Sequence, residues 1–292
     1  MTKSKSQGFS LLELMVSIAV LVTICGALFS ALFAYQKTYA SEMLKADMRL
    51  GVQGAAETLA QEIGQAGAVP PTTTTLTGSI TASALAQSAS VISTANMFAG
   101  ETLQVDQGPT YETVKIASVS SSTTISAIFN SNHAAGALVW ASGVFPQGIL
   151  SSSTANVLQL FGDINSDGTL AYEEYRCDMT AGTLTRSITP VGAGERNAAV
   201  VVLQGVIANP GGTPCFTYAA PVSAAGFNFI TNVGFTVTTQ TSDPDPQTGQ
   251  YATMTKSFLD LAPRNVKAGL ALAQGGYTAP LQATPPGLPM SP

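Results

Sequence analysis

From Phe9 to Tyr35 the chain is almost wholly apolar, and Glu13 is the only charge in the run. Leu14–Tyr35 supplies 22 uncharged residues. As a helix they would span about 33 Å, enough to cross a bilayer. After Tyr35 the pattern changes. Val52, Ala56, Leu59, Ile63 and Ala66 recur at helical spacing and form one apolar stripe, while Lys37, Glu42, Lys45, Asp47, Arg49, Glu57 and Glu62 supply a polar surface. Glu42 and Lys45 stand where a helix brings side chains together. Gly67 followed by Pro70-Pro71 is a stop signal. The pattern predicts one helix from about Phe9 to Gln65, with a first half suited to lipid or a helix bundle and a second half suited to lie on a sheet. Gly51, Gly54 and Gly64 weaken it, so local bending near 51–54 is expected.

Beyond the helix the periodicity is that of strands. Residues 67–100 are rich in Thr, Ser and Ala and read as a solvated loop, with O-glycosylation as the alternative. Short strand-like runs follow at Glu101–Gln107, Tyr111–Val119, Thr123–Phe129 and Ala137–Trp140, a candidate inserted β-module over 101–140. Further runs lie at Val157–Phe161, Thr169–Cys177, Thr183–Ile188, Val200–Ile207, Gly226–Thr239 and Thr253–Leu261. Residues 276–292 are proline-rich and read as irregular. One long helix followed by many antiparallel strands predicts an α+β fold, with the helix packed across the sheet of a β-rich head over 101–275.

Charged residues are 10 % of the 292, hydrophobic ones 45 %, and the formal net charge is −5. A sparse, acidic charge set argues against nucleic acid as the main ligand, because phosphate contacts need clustered cations. The cysteines are Cys25, Cys177 and Cys215. Cys25 lies in the apolar run and reads as a small buried hydrophobe. Cys177 and Cys215 lie in the head, where an oxidising compartment would allow them to pair; two free thiols are the alternative.

Residues 1–8, MTKSKSQG, are short, polar and basic. Lys3 and Lys5 before the apolar span place the N-terminus in the cytoplasm and the head outside. A secretory signal peptide fits badly, because its apolar core is shorter and ends in a small-residue cleavage site. An ordinary anchor does not explain Glu13, whose carboxylate is costly inside lipid and needs a partner. Gly8-Phe9-Ser10-Leu11-Leu12-Glu13-Leu14-Met15-Val16 resembles the processing motif of type IV prepilins and type II secretion pseudopilins. The resemblance implies cleavage between Gly8 and Phe9 by prepilin peptidase and N-methylation of Phe9. It also implies that Glu13 faces the cationic N-terminus of a neighbouring subunit. Loss of Lys3 and Lys5 with the leader would take the net charge from −5 to −7. The stretch Leu59–Gly67 is similar to the helix end of PilW-like minor pilins, although the basic residue usual there is absent.

One loop carries candidate metal chemistry. Asp163-Ile-Asn165-Ser-Asp167-Gly168-Thr169, followed by Glu174, matches the spacing of a calcium loop. Asp163, Asn165 and Asp167 would offer side-chain oxygens, Thr169 its carbonyl, and Glu174 both carboxylate oxygens. The flanks read as strands, so a hairpin with ordinary turn residues is the alternative. His133, the only histidine, lies in a connecting loop and reads as a surface residue. No phosphate-binding loop, dinucleotide fingerprint, HExxH or CxxC is present, and no catalytic residue is expected.

These readings describe a leader (1–8), an N-terminal helix (9–66, membrane-spanning over 9–35), a loop, a head and a tail. The implied function is that of a minor type IV pilin, held in the inner membrane and then assembled through its helix into a pilus or its initiating tip complex. Its partners would be other pilins, prepilin peptidase and the assembly platform. A minor pseudopilin of a type II secretion system is one alternative. A tip adhesin or ligand-binding head, with the helix as its vehicle, is another.

Overall fold

The computed structural model describes residues 10–70 and 72–288. The leader, with the expected cleavage site at Gly8 and Phe9, lies outside the described residues, as do Pro71 and the last four residues. The chain forms two compact units. One holds the helix up to Arg49 together with Gln240–Thr253; the other holds Leu50–Thr239 and the chain from Met254 onward. The architecture is α+β, as expected: helix α1 (Leu11–Gln65, 55 residues) precedes a large set of antiparallel strands.

The helix is continuous across Gly51 and Gly54. It stops at Gly67, whose φ of 82° is open to glycine and disfavoured for other residues. The stop is also a place of close backbone approach. The Gly67 N–H donates to the Phe161 carbonyl at 2.8 Å, and the Phe145 N–H donates to the Gly67 carbonyl at 2.8 Å. A Cβ on Gly148 would lie 2.4 Å from the Gly67 nitrogen. Side chains have no room there.

Residues 72–141 form a module of their own. Its strands are β1 (Thr72–Thr75), β2 (Gln87–Ser90), β3 (Thr102–Val105), β4 (Glu112–Ser121), β5 (Thr124–Ala127) and β6 (Leu138–Ala141). They form one six-stranded antiparallel sheet in the order β1-β6-β3-β4-β5-β2. Its two end strands meet: the Thr77 N–H donates to the Ser90 carbonyl (2.8 Å) and the Ile92 N–H to the Thr75 carbonyl (3.2 Å). Leu76 and Val91 form a bridge between them. The sheet thus closes into a small barrel, which removes its edges. Leu76, Val91, Leu103, Val105, Val114, Ile116, Ile125, Phe129 and Val139 fill the interior.

The expected loop over 67–100 is corrected here. It contributes β1 and β2, and Leu76, Ile80, Ala89, Val91, Met97 and Phe98 are buried. Its strands read as a loop because small barrels need few apolar side chains per strand, and the outward positions are hydroxyl-bearing. His133 is corrected too. It is buried and bridged to Ile80, not exposed.

The head proper has β7 (Val157–Gly162), β8 (Ala171–Asp178), β9 (Thr183–Pro190) and β10 (Val200–Gln204) in one sheet, ordered β10-β9-β8-β7. A second sheet holds β11 (Val206–Ile207) and β12 (Phe216–Tyr218), which pair with β15 (Val233–Gln240); β16 (Thr253–Leu261) also pairs with β15. A small hairpin pairs β13 (Val222–Ala224) with β14 (Phe227–Phe229). Gly205, at φ 72°, divides the expected strand Val200–Ile207 between the two sheets. Val52, Ala56, Leu59, Ile63 and Ala66 are each fully buried and, with Ala55, pack against Leu158, Leu160, Tyr175, Leu184, Phe216, Val233 and Phe235. The predicted helical stripe is therefore part of the main core. The Cys177 and Cys215 sulfurs are bonded, with Cα atoms 6.5 Å apart, and tie β8 to the chain entering β12. A second helix, α2 (Arg264–Gln274), packs Val266 and Ala273 with Val144, Phe229 and Leu281. In the tail, Gln282 is buried and binds both backbone groups of Thr102.

Candidate functional site

The first half of α1 is the part of the molecule with the most exposed apolar surface. Leu11, Leu12, Met15, Leu21, Val22, Leu28, Phe29 and Phe33 are all more than half exposed. None of the most apolar stretch is buried within the chain. Such a surface is unstable in water at about 25 cal/mol per Å², so it needs lipid or other helices around it. Its serine and threonine hydroxyls are already satisfied. Ser17 donates to the Glu13 carbonyl (2.8 Å), Ser30 to Gly26 (2.9 Å) and Thr38 to Ala34 (3.0 Å). Hydroxyls bonded back one turn can enter an apolar medium without stranding a donor. Glu13 differs. Its carboxylate has no partner among the described residues.

At the end of the apolar stretch the same compact unit carries a clamp. The segment Gln240–Thr253 turns back at Asp245, whose carboxylate accepts from the Gln247 N–H (2.8 Å) and from Ser41 Oγ (2.8 Å). Lys45 Nζ lies 3.2 Å from Asp245 and 3.6 Å from Glu42. Gln247 Nε2 donates to Thr38 Oγ1 at 2.7 Å. The Gln247 N–H, then Ser41 and Lys45, hold the Asp245 carboxyl below its ordinary value, against the effect of burial. Nothing in the spacing of the sequence relates Asp245 to Ser41, 204 residues away.

The second half of α1 is held in the head by a buried polar network. Glu62 accepts from Tyr175 Oη and from Arg186 Nη2, and Arg186 Nε donates to Glu173. Glu173 is fully buried, and its second oxygen has no hydrogen-bond partner. Burial, then the neighbouring Glu62 charge, pushes the Glu173 carboxyl up to about 8 against the pull of Arg186. Glu101, buried beside the barrel with one unpartnered oxygen, is likewise pushed up to about 8 by burial. The barrel has its own staple. His133 Nε2 lies 2.6 Å from Glu112 and Nδ1 lies 3.2 Å from Asp106.

The structure places the candidate calcium ligands in two groups. Asp163 accepts the N–H groups of Asp167 (3.0 Å) and Gly168 (3.2 Å), and Asp167 accepts that of Thr169 (2.8 Å). Asn165 accepts from Arg186 at 3.4 Å. Glu174 lies three rungs along the β7–β8 ladder, paired with Gln159, about 10 Å from the turn at strand spacing. Its carboxylate accepts from Tyr172 Oη (2.7 Å), Gln159 Nε2 (3.1 Å), Arg176 (2.9 Å) and Arg196 (2.6 Å). Among the described residues no group of three or more His, Cys, Asp or Glu is arranged to hold a metal ion.

No curated protein and no solved structure matches the chain. Residues 3–29 match the family model described as the prokaryotic N-terminal methylation motif. The match covers the basic leader and the start of the apolar helix, so the N-terminus of this chain is that of a type IV pilin-like prepilin or pseudopilin.

Proposed function

We propose that this chain is a minor type IV pilin, a structural subunit cleaved between Gly8 and Phe9, N-methylated at Phe9, and assembled through α1 into a pilus or its initiating complex. One observation carries the reading. The methylation motif runs without a break into a helix whose first half is apolar and exposed all round. The mature subunit rests in the inner membrane with its head outside. It leaves lipid when neighbouring helices replace the acyl chains around Leu11–Tyr35. Glu13 then pairs with the Phe9 ammonium of a neighbour, which offsets the cost of a carboxylate in an apolar bundle.

The test is intact-mass and N-terminal analysis of protein from cells with and without prepilin peptidase. The expected mature chain begins at methylated Phe9 and is seen only when the peptidase is present. An uncut chain in both strains would make this an ordinary single-span anchored domain. A minor pseudopilin shares every N-terminal feature. Deletion of the gene separates the two, because loss of pili with intact secretion identifies the pilin. A ligand-binding head is favoured as an added role by the closed barrel inserted between α1 and β7.

A further inference from the structure

The outward face of the barrel carries an arrangement that the assembly reading does not use. Strand β6 alternates, with Val139 and Ala141 buried and Leu138 and Trp140 turned outward. Trp140 is the only tryptophan in the chain. The Tyr111 ring stands beside it with centroids 6.2 Å apart at 42°, and Tyr111 is 47 % exposed. Strand register continues the row sideways. Trp140 pairs with Gln104, and Gln104 pairs with Thr113. An aromatic pair, an amide and a hydroxyl therefore follow one another across neighbouring strands, in steps of about 4.8 Å. Gln104 is oriented by donating to Ser142 Oγ at 2.9 Å. Beyond Thr113 the face sinks into a shallow depression of about 550 Å³. Thr113, Lys115 and Asn130 line it together with the apolar Ala86, Ala117 and Ile128.

The charge on this face narrows the class of ligand. The nearby carboxylates of Asp106 and Glu112 are turned to His133, and Lys115 is the one charged side chain lining the depression. A single cation does not make a polyanion site. An apolar protein surface would leave Thr113, Asn130 and the amide oxygen of Gln104 without partners, which is costly. A pyranose ring meets both demands. Its C–H face packs on an aromatic ring, and its hydroxyl edge exchanges hydrogen bonds with amides and hydroxyls. A chain of beta-1,4-linked sugars of glucose configuration has equatorial substituents and a flat face, and so can run across the strands from Trp140 toward Asn130.

We propose that the barrel face at Trp140, Tyr111, Gln104 and Thr113 binds a neutral, flat polysaccharide chain of beta-linked pyranoses. This goes beyond assembly and does not depend on it. The test uses the full chain in a zwitterionic detergent free of sugar headgroups. Cellohexaose and chitohexaose are titrated while emission from Trp140 is followed, and binding is measured again by calorimetry. Saturable quenching or a spectral shift with at least one of the two is expected. Trp140→Ala should weaken binding by about tenfold or more, Trp140→Tyr should keep most of it, and Gln104→Ala should weaken it with the fold unchanged by circular dichroism. No response to either sugar would overturn the proposal. So would undiminished binding in Trp140→Ala, or in Gln104→Ala if the first variant does not fold. Equal response to alpha-linked maltohexaose would overturn the assignment to a flat chain.

Discussion

At the scale of single residues, buried acids set the response of the head to pH. An unfolded glutamate releases its proton near pH 4.3, whereas folded Glu101 and Glu173 hold theirs up to about 8. Between those values the folded state binds more protons than the unfolded chain, so stability falls as pH rises through that window. Glu174 acts in the opposite sense and at lower pH. Burial raises it, but Tyr172, Gln159, Arg176 and Arg196 together hold it below its ordinary value, so its contribution is lost as the medium turns acid. The melting temperature of the purified protein is therefore expected to fall from about pH 5 to about pH 8, and Glu101→Gln should flatten the slope. A rise over that range would contradict the buried-acid account. The proposed pairing of Glu13 belongs to the same scale. Glu13→Ala is expected to leave membrane insertion and cleavage intact while impairing assembly. Normal incorporation of the variant into pili would remove the pairing role.

At the scale of elements, α1 divides by chemistry. Its most apolar stretch is not buried within the chain, and its second half is core. Leu59 is fully buried against β-sheet side chains, so Leu59→Ala should cost about 2–5 kcal/mol. Leu50, at 72 % exposure on the same helix, should tolerate alanine within about 0.5 kcal/mol. Urea denaturation of both variants measures the contrast, and equal effects would show that the stripe is not what holds the helix. The barrel is a second element with a core of its own, filled from its strands and the turns between them, and its sheet is closed on itself. β1 and β2 escaped sequence reading because Thr72–Thr75 and Gln87–Ser90 are polar. Their strand state comes from closing the barrel against β6 and β5, a long-range pairing that no local pattern announces.

For the whole molecule, the Cys177–Cys215 bond joins the two sheets that enclose the second half of α1. It closes a chain segment of 38 residues. By loop entropy its loss should cost about 4 kcal/mol. The paired Cys177→Ser, Cys215→Ser variant should therefore melt well below the parent, and reduction should reproduce the drop. An unchanged transition would mean that the sheets are held by packing alone.

By itself, the sequence determined the features that are local in the chain. They are the long helix and its stop at Gly67, the apolar-then-amphipathic division, most strands of the head, and the methylation motif. Each rests on periodicity, a turn residue or a short contiguous signature. Only the tertiary structure decided which distant groups meet. Asp245 caps Ser41, Glu62 finds Arg186 and Tyr175, and His133 is buried between Asp106 and Glu112. Glu174 is drawn to two arginines, and Trp140 is turned outward beside Tyr111. The physical reason is common to all of them. Spacing along a chain specifies which way a side chain faces on its own helix or strand, whereas its partner is chosen by strand register and by how the sheets close.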